Sequence, residues 1–560
     1  SVTDQSVTGA INAGAAGDGA IQVLNDAGVV TFNSNIGYTT RVASIHVSGG
    51  ASTKFVSAIN ATSLDNDGTI EFGVAGNGSV DMAVDLAAAS RIVLGTGIAS
   101  GDTVVSAASL TTTSTDAVVQ LPNNFVTGTI TLFETNTNAS SGASMSAQDN
   151  ALTDFELDGT GSSTNSGKNW LVTATAKSTA TTASELSITT SEALALKNAN
   201  TATFSGDADA LAAMNTALAG STEAASVATA KAAAQTAGIQ ADVLSGLAIH
   251  GVTVAGQTAD LAANRLAAIR QDVKSGVAAG DSARDKRVWM KLATVNSDQN
   301  AKDGVAGFDG DSNALALGVD AMISDAARLG IALTGVESDI KGEGAGSATV
   351  DTDGYQVTLY GDRVYDNFYF EGSVSFGQYD NDTSRSIAFG GLTRTATANF
   401  DSESTDVAFN LGFPVSVGKS SVVTPVIGLN YTELTTDAYT ETGASNLNMA
   451  VEKNTESSTK LNAQVKFEGR SVTAGTSITP RLTLGAGYLV DGDATTVNSS
   501  FTGGGDSFVT TGAKPDSLST MVDFGFTVES DGLAVDLSAN AEKQGDLKNT
   551  GGSIQLRYSF

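Results

Sequence analysis

From Lys286 to the C-terminus, apolar residues return at every second position between turn-forming Gly, Asp and Asn. Val288, Met290 and Leu292 open the series; Leu315, Leu317 and Val319 follow, then Leu329, Ile331 and Leu333, then Tyr355, Val357 and Leu359. It continues through Phe368, Phe370, Val374 and Phe376, through Phe409, Leu411 and Phe413, and through Val423, Pro425, Ile427, Leu429 and Tyr431. Leu461, Val465 and Phe467 come next, then Leu482, Leu484 and Tyr488, then Phe524, Phe526 and Val528, then Leu533, Val535 and Leu537. Ile554, Leu556, Tyr558 and Phe560 close it. Period two places one set on one face of a strand and the intervening polar residues on the other. The twelve segments form an even number, as a closed antiparallel barrel in a bacterial outer membrane requires. Short links such as Ser324-Asp325 and Asp531-Gly532 alternate with long polar ones, Asn381 to Thr395 and Thr435 to Lys453. A soluble β-sandwich would alternate too, but there an aromatic terminal strand would be an edge open to other chains, whereas a closed barrel has no edge.

Ser1 to Ala202 reads differently. It is rich in Gly, Ala, Ser, Thr, Asn and Val, with short strand-like runs at Val29 to Phe32, Ser44 to Val47, Lys54 to Ile59, Thr69 to Phe72, Ser79 to Val84 and Arg91 to Leu94. Short strands at close intervals with small side chains suit a parallel β-solenoid, in which each coil covers the core of the next. The repeat is too irregular to set a coil length, and a β-sandwich is the alternative. Asp207 to Gly280 is Ala-rich and helix-permissive, with Leu211, Met214 and Leu218 at helical spacing. The reading is therefore a domain at 1–205, a helical linker at 206–285 and a barrel at 286–560.

Composition narrows the function. Sixty acidic residues against 30 basic ones give a net charge of −30, a field that repels nucleic acid. No cysteine is present, so disulfides and thiolate metal sites are excluded. No strongly apolar run long enough for a spanning helix is expected, which leaves strands to cross any membrane. The chain begins at Ser1 without a leader, as a processed or trimmed secreted protein would.

Candidate chemistry is sparse. The two histidines are His46, in an expected strand, and His250, in the linker. A serine nucleophile would need one of them beside a Ser and an Asp; the Gly-Asp-Ser strings at 280–282, 310–312 and 505–507 read as turn chemistry. Asp65-Asn66-Asp67-Gly68 is like the start of a calcium loop but lacks the bidentate Glu downstream. Gly76-Asn77-Gly78-Ser79-Val80-Asp81 occurs once where calcium-binding nonapeptides come in tandem. No catalytic set, cofactor or metal site is expected.

Arg287-Val288-Trp289-Met290-Lys291, Asp311 to Asp320, Arg328 to Ala332, Val423 to Leu429, Ile478 to Tyr488, Phe501 to Lys514 and the terminal strand resemble, in order, the bacterial autotransporter β-domain, over roughly residues 255 to 560. Thr129 to Phe133 and Asn169 to Thr173 resemble the passenger ends of alphaproteobacterial, including rickettsial, surface antigens. The resemblance implies an all-β membrane protein: a 12-stranded antiparallel transmembrane barrel with an internal α-helical linker, preceded by a β-rich, solenoid-like exported passenger on the cell surface. It implies a plug helix near 260–280, where Asn264, Arg265, Arg270 and Lys274 lie. The three cations suit an acidic lumen; an ordinary solvated linker is the plainer reading. Relatives that cleave themselves in this helix carry an Asn-Asn pair, whereas Asn264 precedes Arg265, so no cleavage is expected. The expected partners are outer-membrane lipid and lipopolysaccharide, the barrel assembly machinery, and a host or neighbouring cell surface or further copies in a lattice, for a passenger with a surface-layer or adhesive role. A pore with an accessory N-terminal domain is the competing reading. Ile554, Leu556, Tyr558 and Phe560 would form the assembly signal, so Phe560→Ser should sharply lower heat-modifiable barrel in the outer membrane while synthesis continues; normal amounts would contradict this.

Overall fold

The structure is a computed structural model that describes the chain apart from residues 1–3, 25–27, 79–80, 113–116, 137–144, 163–167, 220–223, 257–285, 325, 419, 474 and 560. It divides into two units, which are described in turn: residues 1–193 with 206–233 and 389–391, and residues 194–205 with 234–388 and 392–560.

The first unit is a three-faced parallel solenoid. One sheet stacks Gln5–Val7, Val29–Phe32, Ser52–Phe55, Thr69–Phe72, Arg91–Leu94, Ala117–Gln120 and Met145–Ala147. A second stacks Asp18–Val23, Val42–Val47, Ala61–Asn66, Ala83–Leu86 and Ser109–Thr112, and a third contains Asn77–Gly78, Thr103–Ala107 and Gly128–Thr135. Inward positions are apolar and outward ones polar. Phe32, Phe55 and Phe72 stack through successive coils at centroid distances of 5.5 and 6.2 Å. Ser52 pairs with Thr69, whereas Arg91 pairs with Val118, so coil length varies and the sequence repeat is blurred. The expected run Lys54 to Ile59 lies instead at Ser52–Phe55, because the chain turns once Phe55 is buried.

The solenoid ends in antiparallel strands. Gly128–Thr135 pairs with Lys168–Ala176, Ile130 facing Val172 and Phe133 facing Trp170, and Thr153–Ser162 covers the other edge. This closes the last coil where a parallel edge would otherwise be exposed. Helices begin earlier than the 1–205 domain reading placed them, at Thr179–Leu186 and Thr190–Thr203. Ser178 caps the first by accepting from Thr181 N, and the chain turns left-handed at Ser187. Ala208–Leu218 and Ala224–Ala237 follow.

In the second unit, 12 long antiparallel strands close on themselves. Lys286–Gln299 pairs with both Phe308–Ser324 and Leu547–Ser559, and Leu392–Gly412 pairs with Ser421–Thr436, so the circle has no edge. Along Lys286–Gln299 exposure alternates: Val288, Met290 and Leu292 point out, while Arg287, Trp289 and Lys291 point in. Leu329, Ile331 and Leu333 likewise face out, and further along the same strand the outward residues become Glu337 and Asp339. That switch marks one limit of the apolar belt. A spanning strand needs about 9–11 residues, so Tyr369–Phe389 and Leu392–Gly412, 21 residues each, project well beyond the belt. The polar stretch Asn381 to Thr395, expected as a loop, is therefore mostly strand, turned at Gly390 and Gly391, both with positive φ. Thr435 to Lys453 does form a loop, whose short strands Tyr439–Thr440 and Met449–Val451 join Thr496–Phe501 and Phe508–Thr511 in a small sheet.

Aromatic side chains wedge over glycines inside the barrel. Trp289 lies against Gly318, where a Cβ would stand 2.3 Å from its ring, and donates to the Tyr360 hydroxyl at 2.7 Å.

Removing the middle ring of the solenoid stack, Phe55→Ala, is expected to destabilise the solenoid by about 3–5 kcal/mol. Limited proteolysis and thermal unfolding of the full chain should show early loss of the N-terminal unit with the barrel intact.

Candidate functional site

The lumen holds a helix at 241–256, and the strands are shaped to receive it. Two charged residues, Lys231 and Asp242, lie in Val227–Gly256, which is Ala-rich and by length and composition could cross a membrane, contrary to the sequence expectation. Its small residues permit close packing instead, and 61% of its most apolar window is buried. The helix that ends at Ala237 is followed by 238–240 and then by the luminal segment.

At the long-loop end, Asp242 Oδ2 accepts from Gly344 N at 2.7 Å. Ser245 Oγ accepts from Ala513 N at 2.7 Å and donates to Ala241 O at 2.8 Å. Val243 packs with Phe308, Ile340, Ala348 and Val350. Deeper in, His250 is wholly buried. Its Nδ1 lies 2.7 Å from Ser297 Oγ and its Nε2 2.7 Å from Ser312 Oγ. Ser297 in turn donates to Asn549 Oδ1 at 2.8 Å, and Ser312 Oγ lies 2.7 Å from Ser338 Oγ. A neutral imidazole presents one donor and one acceptor, and hydroxyls serve either, so the ring is satisfied by serines on two strands, which are themselves tied to two more. Gly310 makes this possible: a Cβ there would stand 2.7 Å from the ring. Val254 then packs with Val336 and Tyr379.

The entry to the lumen is tied by Arg385, buried on Tyr369–Phe389. Nε and Nη2 donate to Glu441 Oε1 and Oε2, each at 2.8 Å. Nη2 also donates to Leu447 O at 2.8 Å, and Nη1 to Thr236 O at 3.0 Å and Ala237 O at 2.8 Å. All five guanidinium hydrogens thus bind a strand-to-loop carboxylate, a loop carbonyl and the end of a helix. Asn198 Oδ1, on the preceding helix, accepts from Asp506 N at 2.8 Å.

His250 and Ser312 do come together, yet the arrangement is a seat and not a hydrolase triad. The second ring nitrogen meets a serine hydroxyl, while Asp311 is exposed and engaged by Asn296. Asn264, Arg265, Arg270 and Lys274 lie outside the described residues, as does Phe560. Ile554, Leu556 and Tyr558 face out from Leu547–Ser559, with Leu556 set between Met290 and Val535 on the strands either side. Sequence reasoning missed His250 and Arg385; a histidine in an Ala-rich helix and a glycine in an otherwise alternating strand were the available signals.

Residues 288–540 match the family model of the autotransporter β-domain. The chain carries an autotransporter β-domain. Outer membrane protein B of Rickettsia rickettsii is 28% identical over 227 residues, covering 39% of this chain and 13% of that protein. Outer membrane protein A of the same organism is 26% identical over 199 residues, covering 33% and 9%. The chain thus spans a small part of the length of the curated relatives it matches. The translocator domain of autotransporter NalP from Neisseria meningitidis is 18% identical, with a TM-score of 0.42, over 55% of this chain and 98% of that one. The comparisons place the barrel half in the bacterial outer membrane. Short turns then face the periplasm and long loops the exterior, so the luminal helix of this autotransporter runs inward from the outer mouth.

His250→Ala removes two buried hydrogen bonds and leaves a void, and is expected to cost on the order of 2–4 kcal/mol. Arg385→Ala strips Glu441 of its buried partner, at a cost of about 3–5 kcal/mol. Thermal unfolding in detergent should show both losses, and a double variant close to the sum of the two would confirm that the two ties act separately.

Proposed function

We propose that the autotransporter displays a structural, non-catalytic passenger, adhesive or layer-forming, that stays covalently joined to the barrel. The observation that carries this reading is the filled interior of the solenoid. Phe32, Phe55, Phe72 and the aliphatic residues around them leave a continuous core, and the outward faces are ladders of Ser, Thr, Asn and Asp. Such a rod projects a repetitive polar surface and owes its stability to stacking between neighbouring coils. The seated helix supports the second half of the reading, because a chain anchored by His250 on two strands of the wall resists being drawn out. Contacts with lipopolysaccharide around the belt, and recognition of the terminal strand by the assembly machinery, belong to the same proposal.

Cells carrying the full chain, compared with cells lacking residues 1–176, test it. The passenger should remain in one polypeptide with the barrel, unchanged in size by Asn264→Ala. Adherence to other surfaces, or a periodic array in envelope images, should be lost with the deletion. Passenger found free in the medium would contradict the tether; unchanged adherence and envelope texture would contradict the structural role. Conductance separates the pore reading: the intact barrel should conduct little until residues 241–285 are removed.

A further inference from the structure

We propose that the outer face of the solenoid carries a divalent-metal site of the zinc type, formed by His46, Asp65 and Asp67 with Asp85 beside them. In the sequence these residues belong to an incomplete calcium loop and to separate strands. The fold supplies what the loop lacks.

The second sheet sets His46 on Val42–Val47, Asp65 on Ala61–Asn66 and Asp85 on Ala83–Leu86. The strands are parallel and in register, His46 opposite Asp65 and Asp65 opposite Asp85. Their neighbours Ile45, Val47, Leu64, Asn66, Val84 and Leu86 are buried, so alternation turns all three functional side chains outward on one rung. Strand spacing puts such neighbours about 4.8 Å apart.

Asp67 is brought to this rung by a turn with little freedom. Its N–H donates to Val47 O at 2.8 Å, which sets it beside the residue after His46. Gly68 N donates to the buried Asn66 Oδ1 at 3.1 Å, and Asn66 Nδ2 donates to Arg91 O at 3.3 Å. A Cβ on Gly68 would stand 2.4 Å from Ala51 O, so the turn is pressed against the coil above it.

The result is an imidazole with a carboxylate at each nitrogen: Nδ1 is 2.8 Å from Asp65 Oδ2 and Nε2 is 3.9 Å from Asp67 Oδ2. One ligand atom from each of His46, Asp65 and Asp67 lies within 4.8 Å of the others. Tetrahedral zinc with bonds of about 2.0–2.2 Å sets ligand atoms roughly 3.3–3.6 Å apart, so the partly exposed side chains rotate to bring one ring nitrogen and both carboxylates to the ion. All three residues are partly exposed, which gives an ion access and leaves room for water in the remaining positions.

Charge argues in the same direction. Like charges facing each other across a ladder destabilise it, and Asp65 faces Asp85 here. Among the described residues, the ion pairs of Asp65 and Asp67 are with His46. Arg41 pairs with Asp81, and Lys54 with Glu71, instead. A bound dication would relieve this excess of negative charge. The imidazole selects the ion: a nitrogen with carboxylate oxygens suits zinc, whereas calcium takes an all-oxygen set.

The test uses the full chain in detergent, stripped of metal by chelation, with zinc chloride as the probe. The chain contains two histidines, so selective isotope labelling of histidine gives two resolvable ring signals. Zinc should shift the His46 signal at about one equivalent and leave that of His250, enclosed in the barrel, in place. Asp67→Asn, which keeps the turn, should weaken zinc binding at least tenfold in calorimetry, and His46→Asn should abolish it. An unmoved His46 signal, equal affinity in the Asp67→Asn variant, or displacement of zinc by equimolar calcium would overturn the proposal.

Discussion

Lipid offers a peptide group no hydrogen-bond partner, and the translocator half of this protein follows from that constraint. Each strand that crosses must give every N–H and C=O to a neighbour. The pairing of Lys286–Gln299 with Leu547–Ser559 completes the circuit between the first and last strands. With the backbone satisfied, side chains are free to divide by face. Val288, Met290 and Leu292 meet lipid, and Arg287, Trp289 and Lys291 are turned into the lumen.

A closed barrel creates a second problem, an interior that is neither lipid nor bulk water. The protein answers it with a helix made largely of small residues and with strand positions cut away to receive it. Gly310 lets the His250 ring lie against the strand wall, and Gly246 lets Phe308 and Ile340 lie against the helix. Polar groups in this interior are costly unless paired, and the serines around His250 and the five bonds of Arg385 meet that requirement. Seat and barrel are therefore one construction. The helix fills the space that closure creates, and the paired strands bring Ser297 and Ser312 to one imidazole with Asn549 and Ser338 behind them.

The barrel strands were legible because lipid imposes period two on the outward face, and each of the twelve alternating segments overlaps a long strand, with Phe368 and Phe413 just beyond strand ends. The lengths of the strands were not. Beyond the belt nothing selects apolar residues, so Asn381 to Thr395 read as loop although most of it is paired. In the passenger, small residues and unequal coils concealed the register, and Ala61–Asn66 drew no notice although it is central to its sheet. A helix inside the barrel was expected from the family resemblance, but its seat at 241–256 was hidden for another reason. Alanine-rich sequence is equally compatible with a solvated linker, and the partners of His250 lie 47 and 62 residues away along the chain. Contacts of that kind exist only once the strands are in register.

The central claim is that residues 241–256 form a seated helix inside the assembled barrel. Hydrogen exchange of the full-length protein in lipid nanodiscs, read by mass spectrometry on peptides covering 241–256, tests it most directly. The account predicts exchange as slow as that of Lys286–Gln299 and Leu547–Ser559, because opening the helix requires breaking the His250 network within a closed wall. Exchange as fast as that of a solvent-exposed helix, with those two strands still protected, would contradict it.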